Sequence, residues 1–230
     1  MSIQHERAGE PIFHTDAEGE PIVRHFHDLY KTHAGRTWQN TFWLGKRVVK
    51  CPLDLWIYQE IIFATRPTVL LETGTAFGGS ASFFASLFDL IGSGRVVSVD
   101  IDPMETPEHP RITYLTGDSI APETVSRVRD TIGDDASVMV VLDAKHHRDH
   151  VIEELRIYGS LVRPGDFMIA EDTNINLTVP QPKPGAPYAR PGPLQAVREF
   201  IAEQDRFVID RSWEKFFMTF HPNGFLRCVK

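Results

Sequence analysis

From Thr68 onward the chain alternates two kinds of segment, and this alternation constrains the fold more than any single motif. Short runs rich in Val, Ile and Leu, namely TVLLET, RVVSVDI, ITYLTG, SVMVVLD and DFMIAED, have the length and composition of strands. Between them GGSASFFASLFDLI, PETVSRVRDTI and HVIEELRIYGSLV space their apolar residues at helical period. Strand, helix, strand in succession makes parallel crossovers, so the sequence predicts an α/β fold with a doubly wound, mostly parallel Rossmann-like sheet. PGPLQAVREFI reads as a last helix. FVIDRSWEKFFMTFHPNGFLRCVK reads as strand, turn at Pro222-Asn223-Gly224, and strand, a C-terminal antiparallel hairpin at the sheet edge. Ligands of such sheets sit at the carboxyl ends of the strands, near the switch in strand order.

Upstream the text differs. Residues 1–36 are rich in Gly, Pro, His and acids, with GEPI at Gly9 and again at Gly19, and are expected to form a short hairpin or loose arm ahead of one catalytic domain over 37–230. Pro52 looks like a first-turn proline, and Leu53, Trp56, Ile57, Glu60 and Ile61 follow at helical spacing, which puts Trp56 in the core. Trp38, Phe42 and Trp43 precede that helix, placed either for the core or to cover a ligand. A net charge of −7 argues against nucleic acid or an anionic membrane surface as the main partner. No apolar window has the length of a bilayer span, and the first residues lack an apolar leader core. The two cysteines, Cys51 and Cys228, stand far apart without metal-ligand spacing, so a reduced, cytoplasmic protein is expected. The oligomeric state is left open, a homo-oligomer included.

After the first strand comes ETGTAFGGS. Dinucleotide turns read G-x-G-x-x-G, but here the spacing is Glu72-x-Gly74-x-x-x-Gly78-Gly79 with Ala76 in the second glycine's place, which disfavours a pyrophosphate ligand. S-adenosylmethionine fits better. Gly74 and Thr75 would form a close turn beneath it, Glu72 would accept from its amino group, and Ser80 with the helix N-terminus would receive its carboxylate. Asp100, ending the next strand 22 residues after Gly78, is placed for the ribose hydroxyls. Asp118 and Ser119, in LTGDS, are placed for the adenine edge.

The later strand ends are acidic. VVLDAKHH leaves Asp143 at one and MIAEDTN leaves Glu171 and Asp172 at the next; parallel strands about 4.8 Å apart let these carboxylates converge. Three oxygen donors, with only Lys145 close in sequence, suit Mg²⁺. A Glu-Asp pair facing a third carboxylate would otherwise repel. His146, three residues beyond Asp143, is the candidate general base, with His147 and His150 as decoys.

These segments together, TFWLGKRVVKCPLDLWIYQEII with the glycine turn, LTGDS, LDAKHHRDHVIEELRIYGSLV, FMIAEDTNIN and KFFMTFHPNGFLRCV, resemble the cephalosporin hydroxylase/rhamnosyl O-methyltransferase family over residues 37–230. The resemblance implies the class I methyltransferase fold and Mg-dependent methylation of a sugar hydroxyl on a glycoside or glycolipid acceptor. It implies Asp143, Glu171 and Asp172 as metal ligands and His146 as base, and leaves the role of Lys145 open. The implied mechanism is in-line transfer, with the metal binding and acidifying vicinal hydroxyls. The iron triad of two His and one carboxylate that a hydroxylase would need is not apparent. A catechol-type O-methyltransferase, a non-catalytic nucleotide-binding module and an NAD-linked oxidoreductase are the alternatives. The Pro/Gly-rich stretch 174–193 is expected to act as an acceptor lid, with Tyr188 and Arg190 as contacts.

Overall fold

The computed structural model describes residues 12–33, 37–102, 105–134, 136–175, 177 and 191–230. Helix α1 (Gly19–Thr32) leads, followed by a two-stranded ribbon of β1 (Phe42–Trp43) and β2 (Lys46–Arg47). Helix α2 (Pro52–Thr65) starts on its proline, whose missing N–H is no loss in a first turn, and stops where Arg66 turns left-handed before Pro67. The predicted alternation then appears in order: β3 (Val69–Thr73), α3 (Gly79–Ile91), β4 (Arg95–Asp100), β5 (Ile112–Thr116), α4 (Pro122–Ile132), β6 (Val138–Leu142), α5 (Arg148–Gly159), β7 (Phe167–Ala170) and α6 (Pro193–Glu203). Strands β8 (Phe207–Ile209) and β9 (Phe225–Cys228) close the chain.

The seven-stranded sheet runs β5-β4-β3-β6-β7-β9-β8, so the strand order reverses between β3 and β6. Along each central strand, alternate side chains enter opposite layers. Val69, Leu71, Val138, Val140 and Leu142 pack under α4, α5 and α6, while Leu70, Met139 and Val141 pack under α2 and α3. Each such fully buried aliphatic contributes about 1.5–3 kcal/mol, which is why the parallel strands are apolar on both faces. Among the described residues no helix is long and apolar enough to cross a membrane.

The closing strands pair antiparallel at the sheet edge as expected, β9 beside β7 and β8 outermost, though a long connection instead of a tight turn joins them. Two expectations change. Residues 19–32 are a helix, packed down through His27, instead of a hairpin or loose arm. Trp56 is 59% exposed and donates to Glu60 Oε1 across one helical turn, because the buried face of α2 runs through Ile57, Ile61 and Ile62. Trp38 packs edge-on against Phe220 and Trp43 against Phe83, while Phe42 is exposed. The proposed lid contacts Tyr188 and Arg190 lie outside the described residues.

Candidate active site

The strand ends on both sides of the β3/β6 switch meet in one place. Gly74, at φ 94°, leaves β3 so close to β6 that a Cβ there would stand 2.1 Å from the Asp143 carbonyl oxygen. The same holds beside it: a Cβ on Gly79 would stand 2.0 Å from the Arg47 carbonyl oxygen. These two glycines bring the segment after β2, the glycine turn and the end of β6 together.

Around the turn, Asp100 Oδ2 accepts from the Ala76 N–H at 2.9 Å and Oδ1 from the Asp102 N–H, so this carboxylate ties the turn to β4. Thr75 is buried, its hydroxyl 2.7 Å from that of Ser98. Glu72 is buried too; Ser98 donates to its Oε2 at 2.7 Å, and its Oε1 has no hydrogen-bond partner among the described residues. Burial pushes Glu72 up to about 7, against the pull of Lys50, Ser80 and Ser98. Asp118 Oδ1 accepts from the Ile120 N–H. The Ser119 hydroxyl expected at the adenine edge is engaged inward instead: it donates to Glu154 Oε1 at 2.7 Å and lies 3.0 Å from His150 Nε2. Two buried polar groups on α5 claim it, and neither was readable from LTGDS.

The acidic cluster forms as two joined halves. In the more open half, one ligand atom each from Asp143, His146 and Asp172 all lie within 4.8 Å of one another, with His146 Nε2 3.5 Å from Asp172 Oδ2 and 4.0 Å from Asp143 Oδ1. Asp172 adopts φ 55°, a conformation Asp tolerates better than most side chains, and donates its N–H to His221 Nδ1. Glu171 points into the buried half. Its Oε1 accepts from Lys50 Nζ at 2.5 Å and from the Tyr58 hydroxyl at 2.6 Å, and its Oε2 lies 3.8 Å from His221 Nε2. Lys50 Nζ also donates to Asp143 Oδ2 at 2.6 Å.

Lys50 corrects the expectation that only Lys145 stands near these carboxylates; Lys145 is exposed, and the neutralising cation arrives from 93 residues away. Burial alone would lower the Lys50 pKa, but Asp143 and Glu171 outweigh it and hold the ammonium well above the ordinary lysine range. The carboxylates divide accordingly. Burial and the neighbouring Glu171 push Asp143 up to about 7, whereas Glu171, despite its burial, is held below the usual range by Lys50 and His221. Behind them Asp54, on α2, accepts from Thr219 Oγ1 and the Phe220 N–H and lies 3.5 Å from His221 Nε2. Lys50, Tyr58, Asp54 and His221 carried no site signal in the sequence beyond their polarity amid apolar text. Of the decoys, His147 stands just ahead of α5 without a side-chain capping hydrogen bond, and His150 lies on that helix as expected.

Residues 35–229 match the family model described as Rhamnosyl O-methyltransferase/CmcI. The chain belongs to this family, and it is an O-methyltransferase. A rhamnosyl O-methyltransferase of Mycobacterium leprae (strain TN) is 32% identical over 216 residues, 90% of each chain. One from Mycobacterium bovis (strain BCG / Pasteur 1173P2) is 30% identical over 221 residues, covering 90% of this chain and 85% of that one. Among solved structures, CmcI with Mg and SAM superposes with a TM-score of 0.62 at 21% identity, over 84% of this chain and 78% of that one. A putative caffeoyl-CoA O-methyltransferase from Staphylococcus aureus gives 0.52 at 16% identity, over 82% and 84%. These two likenesses concern the fold, the class I methyltransferase sheet.

Proposed function

We propose that this enzyme transfers a methyl group from S-adenosylmethionine to a hydroxyl of a rhamnose-like sugar on a glycolipid or glycosylated natural product, with Mg²⁺. The observation that carries this reading is the convergence of Asp143, His146 and Asp172 beside the β3 turn. Both groups fit the residues present. Two carboxylates with an adjoining imidazole, and Glu171 behind them, form an oxygen-rich set that suits a hard cation. The buried Glu72 Oε1 needs a donor, and the amino group of the methionyl moiety is one.

When bound, S-adenosylmethionine supplies the methyl group, and Mg²⁺ supplies positive charge that orients and acidifies the accepting hydroxyl. Asp143, Glu171 and Asp172 would hold the cation. Glu72, Gly74, Thr75, Ser80, Asp100 and Asp118 would form the cofactor cradle, Thr75 by shaping the turn and Asp100 by fixing it to β4. His146 Nε2 would take the proton that the acceptor hydroxyl gives up on methylation. That nitrogen lies 4.0 Å from Asp143 Oδ1 and 3.5 Å from Asp172 Oδ2. Helix α1 belongs functionally with the domain, since its His27 and Lys31 contact Asn174, two residues beyond Asp172.

The acceptor class is tested by supplying isotope-labelled methyl donor with rhamnosides and, separately, with catechols. Label on the deoxyhexose is expected. Label on catechols alone would replace the sugar acceptor with a phenolic diol on the same site.

A further inference from the structure

Lys50 touches two of the three carboxylates assigned above to the cation, 2.6 Å from Asp143 Oδ2 and 2.5 Å from Glu171 Oε1, with 3% of its side chain exposed. The backbone is committed to putting it there. Lys50 lies in the irregular segment between β2 and α2, its N–H donating to Thr41 Oγ1 at 3.2 Å, and the residue before it, Val49, sits at φ 62°. A β-branched residue rarely adopts that conformation, and such strain is kept only where the surroundings enforce it. Close packing of Gly79 on the Arg47 carbonyl fixes the start of the same segment.

Asp143 and Glu171 at this spacing, with Asp172 adjoining, would repel if all were ionised, and an unpaired buried carboxylate is costly. A divalent cation offsets that charge, and so does an ammonium. We propose that Lys50 is a tethered counter-ion of the metal site: it holds Asp143 and Glu171 in place when no divalent cation is bound, and it loosens the hold on that cation by engaging their oxygens and adding positive charge. The consequence is a cluster that folds without metal and exchanges its metal readily. Lys50 is thus a positioning residue that acts through Asp143 and Glu171. This inference rests on the metal reading of the acidic cluster.

The test uses the full chain and Mn²⁺ as probe, titrated by electron paramagnetic resonance with no methyl donor or acceptor present. Wild type should bind Mn²⁺, and Asp172→Asn should bind it more weakly. Lys50→Met should bind at least about tenfold more tightly, because a positive charge a few ångströms from the ion is gone. Its metal-free form should melt below wild type, and saturating Mn²⁺ should close that gap. If neither wild type nor Asp172→Asn binds Mn²⁺, the metal reading fails and this inference with it. If wild type binds and Asp172→Asn is weakened, but Lys50→Met binds no more tightly than wild type, the counter-ion role alone is overturned. Should Lys50→Met stay unfolded even when refolded in saturating Mn²⁺, the role is likewise overturned, since the cation then does not replace the ammonium.

Discussion

His146 and Glu171 show how neighbouring polar side chains separate into different tasks. Glu171 is buried and spoken for by Lys50, Tyr58 and His221, whereas His146 stands in the open half with a ring nitrogen facing two carboxylates. An imidazole so placed either gains a proton from a substrate or ligates a cation, and one variant separates these roles. His146→Ala is expected to lower kcat by roughly 10²- to 10⁴-fold, the usual worth of general-base assistance, while affinities for S-adenosylhomocysteine and Mn²⁺ stay near wild type. His147→Ala is the proper control, because His150 is built into the buried Ser119–Glu154 network and its loss would disturb α5. Loss of Mn²⁺ affinity in His146→Ala would make it a ligand, and loss of rate in His147→Ala alone would move the base by one residue.

Helix α1 is the element whose role the sequence concealed. Its His27 Nε2 lies 2.8 Å from Asn174 Nδ2, and its Lys31 donates to Asn174 Oδ1 at 3.3 Å, so the helix grips the loop two residues beyond Asp172. Phe13 and Phe220 pack against the His27 ring. Burial, with help from Lys31, lowers His27 from 6.5 to about 4, against the pull of Asp28, so the folded chain holds it neutral. Between those two values the unfolded chain binds more protons, and stability therefore falls as pH drops through that window. From pH 6.5 to 5 the loss attributable to His27 is about 1.5 kcal/mol. Urea unfolding of wild type and His27→Gln should show it as a difference in pH slope, which removes the opposing contributions of Glu72 and Asp143. Parallel slopes would mean that His27 is already free to ionise in the fold. Periodicity could find the sheet helices, whose apolar faces are local facts, but α1 joins the site through Asn174, 147 residues distant.

Across the whole molecule, what was legible follows the same division. Glycine turns and acidic strand ends are written in consecutive residues, so the places of Gly74, Asp100, Asp143 and Asp172 could be read before any coordinates. Lys50 and Tyr58 reach Glu171 over 121 and 113 residues, and only the assembled α2, β6 and β7 bring them there. The path between β8 and β9 was hidden for a related reason. Adjacency in sequence does give the antiparallel edge pair of β8 and β9, but not the long connection between them, which delivers His221 beneath Asp172. The molecule thus surrounds a metal-type cluster with a second, metal-independent set of ion pairs. Methyl transfer from labelled S-adenosylmethionine to a rhamnoside should therefore cease after dialysis against a chelator, while circular dichroism shows the fold intact, and should return when Mg²⁺ is added. Undiminished transfer by the dialysed enzyme, with chelator in excess, would contradict a metal-dependent site at the ends of β6 and β7.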